Sequence, residues 1–166
     1  IETTPLDAER TEIHCIVTLD YDTGEITRYN DTGTGQPITR AVTTLMDADT
    51  IIGHNIIGFD IPVIKECYPF FEPKGRIVDT LLLSRLYHPD MLDVDRKAQV
   101  NGMPPKLYGR HSLESYGYRL GEYKGNFGET SDWIEWSKEM EDYCEQDTIV
   151  TRELCHHFQP YLTGLN

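Results

Sequence analysis

The stretch from Trp133 to Phe158 carries apolar residues three or four apart: Trp133, Trp136, Met140, Tyr143/Cys144, Thr151, Leu154/Cys155 and Phe158. That spacing keeps them on one face of a helix. Asp147 falls on the same face. A carboxylate turned toward a core is unfavourable unless it is ion-paired or bound to a metal ion. Tyr143 stands four residues before it, so the phenol and the carboxylate are neighbours on the helix surface. An arginine at the edge of the stripe would make Asp147 structural, whereas a cation would make it chemical. The residue types leave both readings open. The other acids here, Glu139, Glu141, Asp142 and Glu145, are expected to face solvent.

Asp60 presents a second ambiguity. It precedes a helical pattern, Ile61–Tyr68, with Pro62 in the first turn, and so suits a helix N-cap. It also follows a strand-like run, Thr50–Gly53, and the polar pair His54-Asn55. Sites in α/β proteins gather beyond the carboxyl ends of strands. Glu2, in Ile1-Glu2-Thr3-Thr4, would by itself be an exposed acid near a chain end.

These candidates must be held by a mixed α/β domain. Ile13–Leu19 and Glu25–Tyr29 read as strands around the turn signal Asp22-Thr23-Gly24. Asn30–Pro37 has loop composition, and Ile38–Met46 is weakly helical. Arg76–Val78 reads as a strand leading into a helix over Thr80–Tyr87. Pro89–Gly109 reads as one long irregular stretch, and Ser112–Leu120 as a helix. Ser131 is expected to cap a long helical region running from Asp132 toward Phe158, with room for one break. Antiparallel strands first, then alternating strand and helix, then helices, define the class.

The 166 residues suit one domain over 1–166. No apolar run approaches the roughly 20 residues of a membrane span. No membrane partner and a cytoplasmic location are therefore expected. The formal charge of −13 argues against a broad basic nucleic-acid surface. It leaves room for a small site where cations neutralise carboxylates and phosphate together. Ten of the fifteen basic residues lie within 65–124, and 129–153 is mainly acidic. Cys15, Cys67, Cys144 and Cys155 form no CxxC pair and read as reduced thiols. Cys155, His156 and His157 are consecutive on a helix and point apart, which sets aside a zinc site there.

Three dispersed segments together resemble the DEDD exonuclease family. Ile1-Glu2-Thr3-Thr4 resembles its first motif, Asp-x-Glu-Thr, and starts one residue after the motif's Asp; the expectation is a chain-boundary effect. Gly53-His54-Asn55-Ile56-Ile57-Gly58-Phe59-Asp60 resembles the Asn-x-x-x-aromatic-Asp segment of polymerase proofreading domains. Tyr143-Cys144-Glu145-Gln146-Asp147 resembles the Tyr-x-x-x-Asp motif of the tyrosine subclass. Ile77–Asp90 and Gly109–Gly125 resemble the intervening parts of family A DNA polymerase proofreading domains, in particular those of short-tailed bacteriophages. The likeness runs over nearly the whole chain.

The resemblance implies a ribonuclease H-like fold, with a central mixed sheet flanked by helices. It implies a 3′→5′ exodeoxyribonuclease that uses two Mg²⁺ or Mn²⁺ ions at single-stranded or mismatched DNA 3′ ends. Glu2, Asp60 and Asp147 would be metal ligands, and Tyr143 would orient the attacking water. An ordinary phenol, with a pKa of about 10, suits orientation better than proton abstraction. Asn55, His54 and Thr3 would contact the terminal nucleotide. Tyr108, Tyr116, Tyr118, Tyr123 and Phe127 are candidates for base stacking. A polymerase domain of the parent protein is an expected partner, with none inside this chain. Two alternatives remain: an exoribonuclease of the same superfamily, and a non-catalytic module that docks nucleic acid or a polymerase.

Overall fold

The computed structural model describes residues 1–5, 11–122 and 133–164. Its organisation follows from the strand Ile13–Leu19, which becomes buried on both faces. Side chains alternate along a strand. Ile16 enters a core with Tyr29, Ile38, Ala41, Val42, Ile64 and Phe71. Cys15 and Val17 enter another with Met140 and Cys144. Two-sided burial explains the nearly continuous apolar run in IHCIVTL.

Glu2–Thr3 (β1) pairs antiparallel with Ile13–Leu19 (β2), placing Glu2 opposite Cys15. Ile26–Tyr29 (β3) pairs antiparallel on its other side. The turn between β2 and β3 is closed by Asp20, whose carboxylate accepts the Thr23 amide at 2.7 Å. Gly24 follows with φ +77°, the left-handed conformation glycine adopts freely. Ile38–Asp47 (α1) then leads to Thr50–Gly53 (β4). Asp60–Cys67 (α2) carries the chain over to Arg76–Asp79 (β5), parallel to β4.

Thr80–Tyr87 (α3), Met91–Ala98 (α4) and Leu113–Leu120 (α5) precede the final helix, Lys138–Thr163 (α6). Met91, Tyr116, Val150, Leu154 and Phe158 form the core among these helices. The mixed α/β architecture, antiparallel strands first and parallel strands after, is the expected one and is compatible with a ribonuclease H-like fold. Among the described residues the antiparallel three and the parallel pair are hydrogen-bonded as two sheets. Packing of α6 against β1, β2, β3 and β4 joins them.

The structure differs from the sequence reading at four places. The final helix begins at Lys138, where Ser137 caps it by accepting the Met140 amide at 3.1 Å. Trp133 and Trp136 therefore lie before the helix and pack on the β2 core from an irregular segment. Ser131 and Asp132, the expected start, lie outside the described residues, as do Tyr123 and Phe127.

The expected long loop after Pro89 contains α4. Its buried positions are Met91 and Asp95, so one of its two inward residues is a carboxylate and apolar periodicity is absent. Asp95 is tied down by Arg119, whose Nε and Nη2 donate to its two oxygens at 2.8 and 2.7 Å. The acids early in α6 are not simply solvated. Glu141 is buried and accepts Asn30 Nδ2 at 2.7 Å, and Arg28 bonds Asp142 and Glu145. These contacts fix α6 against β3.

Candidate active site

Asp147 occupies the junction between two cores along α6. Met140 and Cys144 precede it against β2, and Val150, Leu154 and Phe158 follow it against the helices. The spacing 140, 144, 147, 151, 154, 158 confirms that Asp147 sits on the inward stripe. Its Oδ1 is shielded from solvent. Its backbone carbonyl accepts the Thr151 hydroxyl at 2.7 Å. One turn earlier, Tyr143 is half-buried, with its ring edge-on to Trp133 at 6.2 Å between centroids.

Asp60 is not the cap of α2. The cap position is Phe59, and Asp60 is the first helical residue. Its carboxylate is thus free of a capping duty and turns to β1, where the Ile1 amino group donates to Oδ1 at 3.1 Å. Cys144 is drawn down to about 7, chiefly by a hydrogen bond from Cys15, while burial and the Asp147 charge oppose the shift. The start of β1, the start of α2 and the middle of α6 therefore share one electrostatic neighbourhood, with Glu2, Asp60 and Asp147 around it.

The turn from β4 to α2 is organised by a residue that the sequence reading passed over. Asp79, at the end of β5, is buried. One oxygen accepts the amides of Asn55 at 3.0 Å and Leu81 at 2.9 Å; the other accepts Ile57 at 3.2 Å. The same carboxylate caps α3. An Asp between a strand and a helical pattern is a capping signal, and that signal was present in Val78-Asp79-Thr80. Asn55 itself has φ +60°, and its carbonyl accepts Gly58 and Phe59 amides. A Cβ on Gly58 would lie 2.6 Å from Asn55 Oδ1, which explains glycine there.

His54 and Thr3 are differently placed. Thr80 Oγ1 donates to the Gly53 carbonyl at 3.3 Å and stands 2.9 Å from His54 Nδ1. Thr3 is buried and its hydroxyl donates to the Thr4 carbonyl at 2.9 Å. Tyr116 is 2% exposed and bonds Ser84 Oγ, so it is core and closed to base stacking. Tyr108 and Tyr118 are half-buried.

Glu2, Asp60 and Asp147 offer oxygen donors only, the set that hard Mg²⁺ or Mn²⁺ prefers. Among the described residues no group of three His, Cys, Asp or Glu side chains is already arranged to hold a metal ion. The donor chemistry fits; drawing the carboxylates onto one ion requires rearrangement.

No family model matches the chain. It is 32% identical to the DNA-directed DNA polymerase of Escherichia phage T7 over 189 aligned residues, covering 96% of this chain. The same identity and coverage hold for the DNA-directed DNA polymerase of Enterobacteria phage T3. Over nearly all of its length the chain is therefore similar to part of the phage DNA polymerase family. It is the family whose proofreading domain the three motif segments resemble. The chain spans 27% of the length of each of these relatives. Among the described residues no helix is long and apolar enough to cross a membrane.

Proposed function

We propose that this chain is a single 3′→5′ exonuclease domain of proofreading type, acting on single-stranded or mismatched DNA 3′ ends in the cytoplasm of a bacterial host. The observation that supports the reading is the approach of β1 to the start of α2, where the Ile1 nitrogen meets Asp60, and to mid-α6, where Cys144 lies close to both the Ile1 nitrogen and Asp147. Similarity to phage DNA polymerases supports DNA as the polymer and a polymerase domain as partner.

Glu2, Asp60 and Asp147 would hold two divalent ions, Mg²⁺ or Mn²⁺. When bound, such ions supply an activated water and stabilise charge on the phosphate and the leaving oxygen. Tyr143, fixed by Trp133, orients the water through its hydroxyl. The water oxygen bonds to phosphorus, the bond to the preceding nucleotide's 3′ oxygen breaks, and that oxygen takes up a proton. The product is a nucleoside 5′-monophosphate. Asn55, held by Asp79, is placed to contact the terminal nucleotide.

Cleavage of a labelled single-stranded oligonucleotide with Mg²⁺, Mn²⁺ or EDTA tests the reading. Metal-dependent release of mononucleotides, lost in Asp147→Ala, is expected. An RNA oligonucleotide run alongside separates an exoribonuclease, and absence of cleavage of both polymers would leave a docking module.

A further inference from the structure

The far end of α6 carries a second cluster of metal-ligating side chains. His88, at the C-cap of α3, and His157, on α6, direct their Nε2 atoms at each other, 2.8 Å apart. Their rings are held by packing. His88 lies 5.6 Å from the Phe158 ring and 5.5 Å from Tyr161 between centroids; His157 lies 5.1 Å from Phe158. Phe158 is fully buried, so both imidazoles are braced against the core. His157 is itself exposed, which leaves the shared point open to solvent.

We propose that His88 and His157 form a two-imidazole site for a borderline transition-metal ion, Cu²⁺ or Ni²⁺, with water completing the coordination. The spacing suits a tetragonal ion once each ring turns its Nε2 lone pair from the other nitrogen toward the shared ion. At metal–nitrogen distances of about 2.0–2.1 Å, nitrogens 2.8 Å apart subtend about 85–90° at the ion. That is the angle between adjacent ligands of a tetragonal centre, as Cu²⁺ and Ni²⁺ favour. A tetrahedral Zn²⁺ would need the nitrogens about 3.3 Å apart. Burial lowers both histidines from the ordinary range, helped by His111 and Arg119 at His88 and by His88 at His157. Both imidazoles are therefore neutral at pH 7, the state in which they act as ligands. Asp90 adds favourable charge beside His88, whereas His111 and Arg119 oppose it. The site is separate from the carboxylates: ten residues divide Asp147 from His157, about 15 Å along the helix. A bound ion would clamp the C-terminal part of α6 to α3.

The test is Cu²⁺ titration of EDTA-stripped protein in excess Mg²⁺, followed by electron paramagnetic resonance. One equivalent of Cu²⁺ coupled to two nitrogens is expected. His88→Gln and His157→Gln should each weaken it at least tenfold and remove one nitrogen from the coupling pattern. Ni²⁺ should raise the Tm of the parent chain and leave that of the double variant unchanged. The Tm of each variant without metal reports whether it is folded. Unchanged affinity and nitrogen count in the folded double variant would overturn the site and reduce the contact to an imidazole–imidazole hydrogen bond.

Discussion

Asp79 Oδ1 accepts the backbone amide of Asn55 at 3.0 Å, tying the end of one parallel strand to the turn that follows its neighbour. The two residues are 24 apart in sequence and adjacent because β4 and β5 pair with Gly53 opposite Asp79. Through this bond the carboxylate sets where Asn55 sits, and the turn in turn sets where α2 begins with Asp60.

Asp79→Ala should therefore weaken both fold and site. Three amides lose their acceptor, and leaving even one buried donor bare costs about 1–3 kcal/mol. A fall in denaturant midpoint of at least that size is expected, together with a raised KM for a single-stranded oligonucleotide. An unchanged KM in the folded variant would show that the turn is held by other means.

Asp147→Ala should separate activity from stability. The bond from the Thr151 hydroxyl goes to the backbone carbonyl of Asp147, which alanine keeps, so the variant should remain folded. Changes in residues that merely orient metal ligands cost about 10–100-fold. Loss of a ligand should exceed that, as measured by mononucleotide release in Mg²⁺. Full retention of metal-dependent activity would reassign the site.

Tyr143→Phe keeps the ring that packs on Trp133 and removes only the hydroxyl. Turnover should fall while the Mg²⁺ concentration for half-maximal activity stays within about twofold. A shift in metal dependence as large as the loss of turnover would place the phenol among the metal ligands rather than beside the water.

Some inward positions were more legible in the sequence than others, and the reasons are physical. Asp147 could be found because a carboxylate breaks a periodic apolar stripe. The order of strands and helices was legible because β2, β4 and the core face of α6 are apolar. Where the buried residue is itself charged, the pattern fails: Asp95 hides α4, and Glu141 looked like surface charge. Asp60 looked like a cap because sequence shows only adjacency. The cap that matters belongs to Asp79, whose partners Asn55 and Ile57 become neighbours only through strand pairing. Trp133 and Trp136 mimic helical spacing from an irregular segment, since three-residue spacing is not unique to helices.

The buried pair Asp95–Arg119 gives the chain an acid-sensitive joint between α4 and α5. Burial would raise the Asp95 pKa, but hydrogen bonds from Arg119 and the Gly109 amide lower it below the ordinary value. A depressed carboxylate contributes stability that is full above its unfolded pKa of about 3.9 and is lost as pH falls through the folded value. The parent chain should accordingly lose stability below about pH 4. Arg119→Ala strands the carboxylate, which is 1% exposed. It should cost about 3–5 kcal/mol at neutral pH. Its penalty should shrink on acidification, because protonating Asp95 removes the uncompensated charge. Urea unfolding of parent and variant from pH 3 to 7 measures this. A penalty independent of pH would mean that Arg119 acts through its stacking on Tyr116, 4.8 Å from the ring centre, rather than through Asp95.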